Sequence, residues 1–133
     1  MNLKEEYNKA LATKNKISTL KEELEEANTY LKALDTTVER VNTSNKSDIS
    51  DRITKVYYIN DKIEECYDKL YKYNVYARNL IDSSDLSLKE YDVMFYKYLM
   101  FKSPQEIADK MGYTCTNMVF KLHKRALKKI ENS

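Results

Sequence analysis

Apolar side chains recur at every seventh residue along the first third of the chain: Leu3, Ala10, Ile17, Leu24, Leu31 and Val38. A second line, three residues on, begins with Glu6 and Thr13 and continues with Leu20, Ala27, Leu34 and Val41. An apolar repeat of about 3.5 residues makes a narrow helical seam that another helix must cover. The pattern predicts a helix over 3–41, ~57 Å long at 1.5 Å per residue. The polar stretch Asn42 to Asp48, "NTSNKSD", then interrupts, with Ser47 or Asp48 placed to cap a second helix. The heptad pattern resumes with Ile49, Val56, Ile63, Leu70 and Ala77, and with Ile53, Ile59, Cys66, Tyr73 and Leu80 beside them. This second helix is predicted over 48–82. A short connection between two heptad helices favours an antiparallel hairpin, with two facing chains as the alternative. Tyrosines 57, 58, 67, 71, 73 and 76 exceed what one two-helix seam covers. Either they thicken the hairpin contact or they bury against a second subunit or partner.

After the break "DSSDLS", from Asp82 to Ser87, the spacing changes character. Ser87 and Glu90 stand as a capping box, opening a helix that should reach about Phe101 with Val93, Met94, Tyr98 and Phe101 among its contacts. Ser103 and Glu106 repeat the box, with the chain's one proline, Pro104, at the first helical position. Ile107, Ala108 and Met111 make an inward face, and the one glycine, Gly112, stands where a left-handed residue ends a helix. Thr114 is placed to cap another helix. Helix, a four-residue turn around glycine, and helix is a helix-turn-helix, and small Ala108 lets the two helices cross closely. At about 100° per residue the last helix carries Cys115, Met118, Val119, Leu122, Ala126 and Ile130 on one side. Thr116, Asn117, Phe120, Lys121, Lys124, Leu127 and Lys128 lie on the other.

Composition agrees with an all-α chain. One Gly and one Pro in 133 residues leave little room for tight turns, and 33% charged against 42% hydrophobic residues suits elongated helices. The predicted organisation is a coiled-coil hairpin over 1–84, for oligomerisation or partner binding, followed by a three-helix domain over 85–133. The net charge of +2 says little, but its distribution is uneven. Residues 1–47 carry 8 basic and 8 acidic side chains, 48–86 carry 6 and 8, and 87–133 carry 9 and 5. From Lys110 to Ile130 there are six Lys or Arg and no acid, a local positive field on which a polyanion can dock.

A helix-turn-helix places its second helix in the major groove and reads bases mainly through that helix's N-terminal residues. Thr116, Asn117 and Lys121 are placed for that, with Thr114 and Phe120 as further candidates for DNA contact; Asn pairs naturally with adenine and Lys with guanine. Lys124, Arg125, Lys128 and Lys129 fall farther along, toward phosphates, where they add affinity rather than sequence preference. Cations near a helix C-terminus also complement its dipole, which accounts for Lys128 and Lys129 without DNA. Phe120 and Leu127 fit the outer face imperfectly. Phe120 can touch a thymine methyl, or both can pack on the first helix of the domain or on a partner.

The stretch "FKSPQEIADKMGYT" followed by "LHKRALKKI" resembles region 4 of sigma-70-type RNA polymerase sigma factors. It is similar above all to small phage and prophage proteins that carry such a helix-turn-helix behind a helical N-terminal half, near the RinA- and ArpU-type phage transcriptional regulators. The motif covers about residues 87–131, with Glu106, Ile107, Ala108, Gly112, Leu122, Ala126 and Leu127 at matching positions. The resemblance implies a sequence-specific transcriptional regulator that binds double-stranded DNA, with the RNA polymerase core as a further candidate partner. One departure stands out: the spacing from Gly112 to the Leu122–Ala126 block is about one residue longer than in primary sigma factors. Either Met118 or Val119 can then be the inward anchor. No counterpart of the sigma regions that melt promoters or read the downstream element is visible.

No catalytic constellation is legible, so the chain is not expected to be an enzyme. The only histidine, His123, has no Cys or carboxylate at metal-ligand spacing, and a single glycine forms no phosphate-cradling loop. Glu22-Glu23, Glu25-Glu26 and Glu64-Glu65 read as solvated helix charge. No cofactor, metal or small-molecule substrate is expected. Cys66 and Cys115 form no CxxC pair and suit a reducing compartment. The N-terminus carries no apolar signal core and no run approaches membrane-spanning length. The expected location is therefore the bacterial cytoplasm, on the nucleoid when DNA-bound, with a homodimer through the hairpin as candidate assembly. Two other readings compete with regulation. One is a DNA-packaging, small-terminase-like recognition subunit, in which the helix-turn-helix comes first rather than last. The other is a coiled-coil protein-interaction module without DNA binding.

Overall fold

The computed structural model describes residues 2–35 and 45–132. The chain is all-helical, with no strand among the described residues. These residues form five α-helices: α1 Leu3–Asp35, α2 Asn45–Ser83, α3 Leu88–Met94, α4 Pro104–Met111 and α5 Asn117–Glu131. A π-helical turn, Phe95–Leu99, continues α3. Among the described residues, no helix is long and apolar enough to cross a membrane. The chain divides into two compact units, Lys9–Leu70 and Met1–Asn8 with Tyr71–Ser133. The sequence break at 84 falls inside the second of these.

In the Lys9–Leu70 unit the heptad positions of α1 and α2 carry the burial. Ala10, Ile17, Ile59, Ile63 and Cys66 are buried, and Leu20, Leu24, Ala27, Leu31, Val56 and Leu70 are half-buried. Polar contacts join the same two helices. Lys55 pairs with Glu23 at 3.4 Å, the Arg52 guanidinium lies 3.5 Å from the centre of the Tyr30 ring, and Lys21 Nζ lies 5.4 Å from that of Tyr67. Ile53, expected on the seam, is 42% exposed. The reason is register: seven residues before Ile59 is Arg52, so Ile53 sits about 100° off the buried line. The seam positions Val38 and Val41 and the connection over 42–44 lie outside the described residues, as does the side chain of Leu34. α2 begins at Asn45, so Ser47 and Asp48 fall within its first turn rather than ahead of it.

Tyr57, Tyr58, Tyr67 and Tyr71 are exposed, and of these Tyr67 meets Lys21 of α1. Tyr73 is buried and Tyr76 half-buried, both in the unit that contains the C-terminal helices.

That unit has a denser core. Val93, Ile107, Ala108, Val119 and Leu122 form one buried cluster, with Tyr96, Met111 and Tyr113 packed at its edge. Each fully buried Val, Ile or Leu side chain contributes ~1.5–3 kcal/mol by leaving water. Ala108 and Ala126 have no exposed surface, as close helix approach requires. α3 does not run on as an α-helix to Phe101. It widens to the π turn, closed by the Met100 N–H donating to the Phe95 carbonyl at 3.1 Å, and the chain then leaves the helix at Phe101 in the left-handed region, φ 56°. A non-glycine residue there costs about 1–2 kcal/mol. Ring contacts offset it: Phe101 stacks on Tyr7 at 5.6 Å and meets Tyr73 at 5.9 Å, while Tyr7 meets Tyr98 edge-on at 5.1 Å. The Tyr73 hydroxyl donates to the Tyr98 carbonyl at 2.7 Å.

Candidate nucleic-acid interface

The site begins with the punctuation around α4. The Ser103 hydroxyl accepts from the Glu106 N–H at 3.2 Å, and the Glu106 carboxylate accepts from the Ser103 N–H at 3.3 Å. Pro104 occupies the first turn, where its missing N–H leaves nothing unpaired. At the other end Gly112 adopts φ 77°, and the Tyr113 N–H reaches back to the Ala108 carbonyl at 2.8 Å. Such a left-handed closure turns the chain sharply out of α4.

The connection to α5 is longer than expected. Thr114 does not cap the helix; α5 starts at Asn117, and Thr116 precedes it in a right-handed helical conformation without a side-chain capping bond. The turn therefore spans Gly112 to Thr116. The added residue decides the inward anchor. Val119 is buried, with Leu122 and Ala126 below it, whereas Met118 is 38% exposed. Cys115, expected on the inner side, is exposed in the turn, and Ile130 is half-buried.

With Val119, Leu122 and Ala126 inward, the opposite face is set by the rotation of about 100° per residue. Asn117, Lys121, Lys124 and Lys128, spaced four, three and four, stand across the helix from the core, and all four are exposed. Phe120 lies on one flank of this row, 53% exposed. Arg125 lies on the other, also exposed. Thr114 is exposed in the turn and Thr116 half-buried at the helix start. Among the described residues, no carboxylate pairs with Lys121, Lys124, Arg125 or Lys128.

Leu127, expected on the outer side, and the site candidate Lys129 have different surroundings from this row. Leu127 is half-buried and lines a small cleft with Leu3, Tyr76, Leu80 and Ile130. Lys129 donates to Glu90 at 2.6 Å. Glu90 is the acid of the Ser87 capping box, accepting also from the Ser87 N–H at 2.9 Å, and is buried. The Lys129 ammonium, seconded by the Ser87 bonds and opposed by burial, holds its carboxyl below the ordinary range. Sequence spacing could not reveal this pair, because its members are 39 residues apart. The only advance sign is the position of Lys129 on the flank of α5 nearer the core than Lys128.

His123 is the other group that the sequence left without a partner. Its Nε2 shares a 2.7 Å hydrogen bond with the Tyr98 hydroxyl, and the two rings stack at 5.6 Å. Burial first, then the charges of Lys97 and Lys4, bring its pKa down to about 4, so the ring is neutral at neutral pH. Among the described residues, no group of three or more His, Cys, Asp or Glu side chains could hold a metal ion. Comparison with protein-family models, with curated proteins and with solved structures finds no match.

Proposed function

We propose that the unit built from α3, α4 and α5 is a helix-turn-helix that binds double-stranded DNA through α5, and that the chain is a sequence-specific transcriptional regulator of the phage, sigma-region-4-like kind. The observation that carries this reading is the exposed row Asn117, Lys121, Lys124 and Lys128, on a helix anchored from behind by Val119, Leu122 and Ala126. Four uncompensated cations, counting Arg125, supply the sequence-independent attraction to phosphates. Asn117 and Lys121, at the helix start, supply groups that can discriminate base edges. Lys129 is committed to Glu90 and contributes less than its charge suggests.

α1 and α2 form a hairpin in this reading, since later residues of α1 meet earlier residues of α2 at Tyr30–Arg52 and Lys21–Tyr67. The exposed tyrosines 57, 58, 67 and 71 favour a protein contact along α2, with a second copy of the chain as the first candidate. Sedimentation tests the second part: a lone 15.8 kDa species at tens of micromolar speaks against self-association. Electrophoretic or fluorescence titration with random and selected duplexes over a salt series tests the first. A protein-only module binds no duplex near physiological salt.

A further inference from the structure

Phe120 is the anomaly of the outer face. It is 53% exposed, it lies within the first turn and a half of α5, and no ring contact holds it among the described residues. Its neighbours on the same face are Asn117 one turn before, Lys121 beside it and Lys124 one turn after. An aromatic ring adds little to phosphate binding, but amid a row of polar and basic groups it is the one side chain there that an apolar group on a partner would take out of water. The charge around it selects the partner. Lys121, Lys124, Arg125 and Lys128 fit a polyanion, repel a basic surface and would lose hydration against a neutral apolar groove.

The apolar group that duplex DNA offers on its major-groove edge is the C5-methyl of thymine. Resting on the DNA-binding reading above, we infer that Phe120 reads a thymine methyl, so that the recognised site holds a methylated pyrimidine beside the bases met by Asn117 and Lys121. The contact is apolar rather than hydrogen-bonded. It therefore depends on the methyl alone, and 5-methylcytosine, which carries the same group at the same ring position, should substitute for thymine in part.

The test uses the full chain and a duplex it selects from a randomised pool. Each thymine of the selected duplex is replaced in turn by deoxyuridine, which removes only the methyl. One position should weaken binding roughly fourfold, the ratio expected for withdrawing one buried methyl group. The Phe120→Ala variant should bind the thymine duplex less tightly and be indifferent to deoxyuridine at that position. Cytosine there should bind better when methylated at C5. Phe120 is solvent-exposed, so Phe120→Ala should keep the wild-type melting curve, and the DNA-side substitutions need no variant at all. If the duplex is bound selectively but no deoxyuridine matters, or if Phe120→Ala keeps the wild-type sensitivity, the methyl contact is wrong while DNA recognition stands. If no duplex is selected, the DNA reading fails and the inference fails with it.

Discussion

Lys129 reaches across from α5 to Glu90 at the start of α3, Nζ to Oε1 2.6 Å, and the Glu90 side chain is only 4% exposed. The same carboxylate closes the Ser87 capping box. One buried acid thus satisfies an orphan helix amide and ties the last helix to α3. Two adjacent lysines with one appearance in the sequence, Lys128 and Lys129, thereby acquire different work.

Lys129→Met should destabilise the fold, because it leaves Glu90 buried without its cation. The loss belongs at the lower end of about 3–5 kcal/mol, since Lys129 itself is half-exposed. Lys128→Met should leave the melting curve unchanged. Equal thermal stability of the two variants would remove the pair from the account of the fold.

Acid should destabilise the protein in two stages. His123 has a folded pKa of about 4 against an ordinary 6.5, so the unfolded chain binds the extra proton between those values. Stability should fall as pH drops from about 6.5 toward 4 and gain no further slope from this group below that. Glu90 is held below its ordinary 4.5, so its contribution is present above that pH and is lost below it. His123→Gln should flatten the upper part of the profile and keep the lower. Chemical denaturation at half-unit pH steps measures both.

Gly112→Ala isolates a backbone effect. A Cβ at that position meets no atom within 4 Å, so no clash is introduced. The cost comes from φ 77° alone and should be about 1–2 kcal/mol, with Gly112→Asn milder. A loss much larger than this would mean that the turn is packed more tightly than the geometry indicates.

Ile59→Asp should cost several kcal/mol, for Ile59 is 1% exposed and the new charge has no partner. Asn60→Asp, the next residue and exposed, should stay within about 0.5 kcal/mol of the wild type. Leu24 and Leu31, heptad positions that are only half-buried, should fall between the two.

What was legible in the sequence was local chemistry. The two capping boxes at Ser87 and Ser103, Pro104 in the first turn and Gly112 at the end of α4 each depend on side chains within four residues, and each stands where its spacing placed it. The buried heptad positions Ala10, Ile17, Ile63 and Ala77 were legible for the same reason, since helix period is a local property. Tertiary context decided the rest. The π turn over Phe95–Leu99 and the left-handed Phe101 depend on the rings of Tyr7 and Tyr73, distant in the chain. Thr114 has the chemistry of a cap, but the extra turn residue moves the start of α5 to Asn117. The choice of Val119 over Met118 depends on that start and is not open to spacing alone.

That the exposed face of α5 reads DNA is the central claim, and it is tested most directly by titrating Asn117→Ala, Lys121→Ala and Lys128→Ala against selected and random duplexes over a salt series. Asn117→Ala and Lys121→Ala should each lose ~1–3 kcal/mol on the selected duplex and little on random DNA. Lys128→Ala should weaken both alike and lower the salt slope by roughly one ion. Equal losses on both duplexes for all three would contradict base reading, and a folded protein that binds neither duplex near physiological salt would contradict DNA binding altogether.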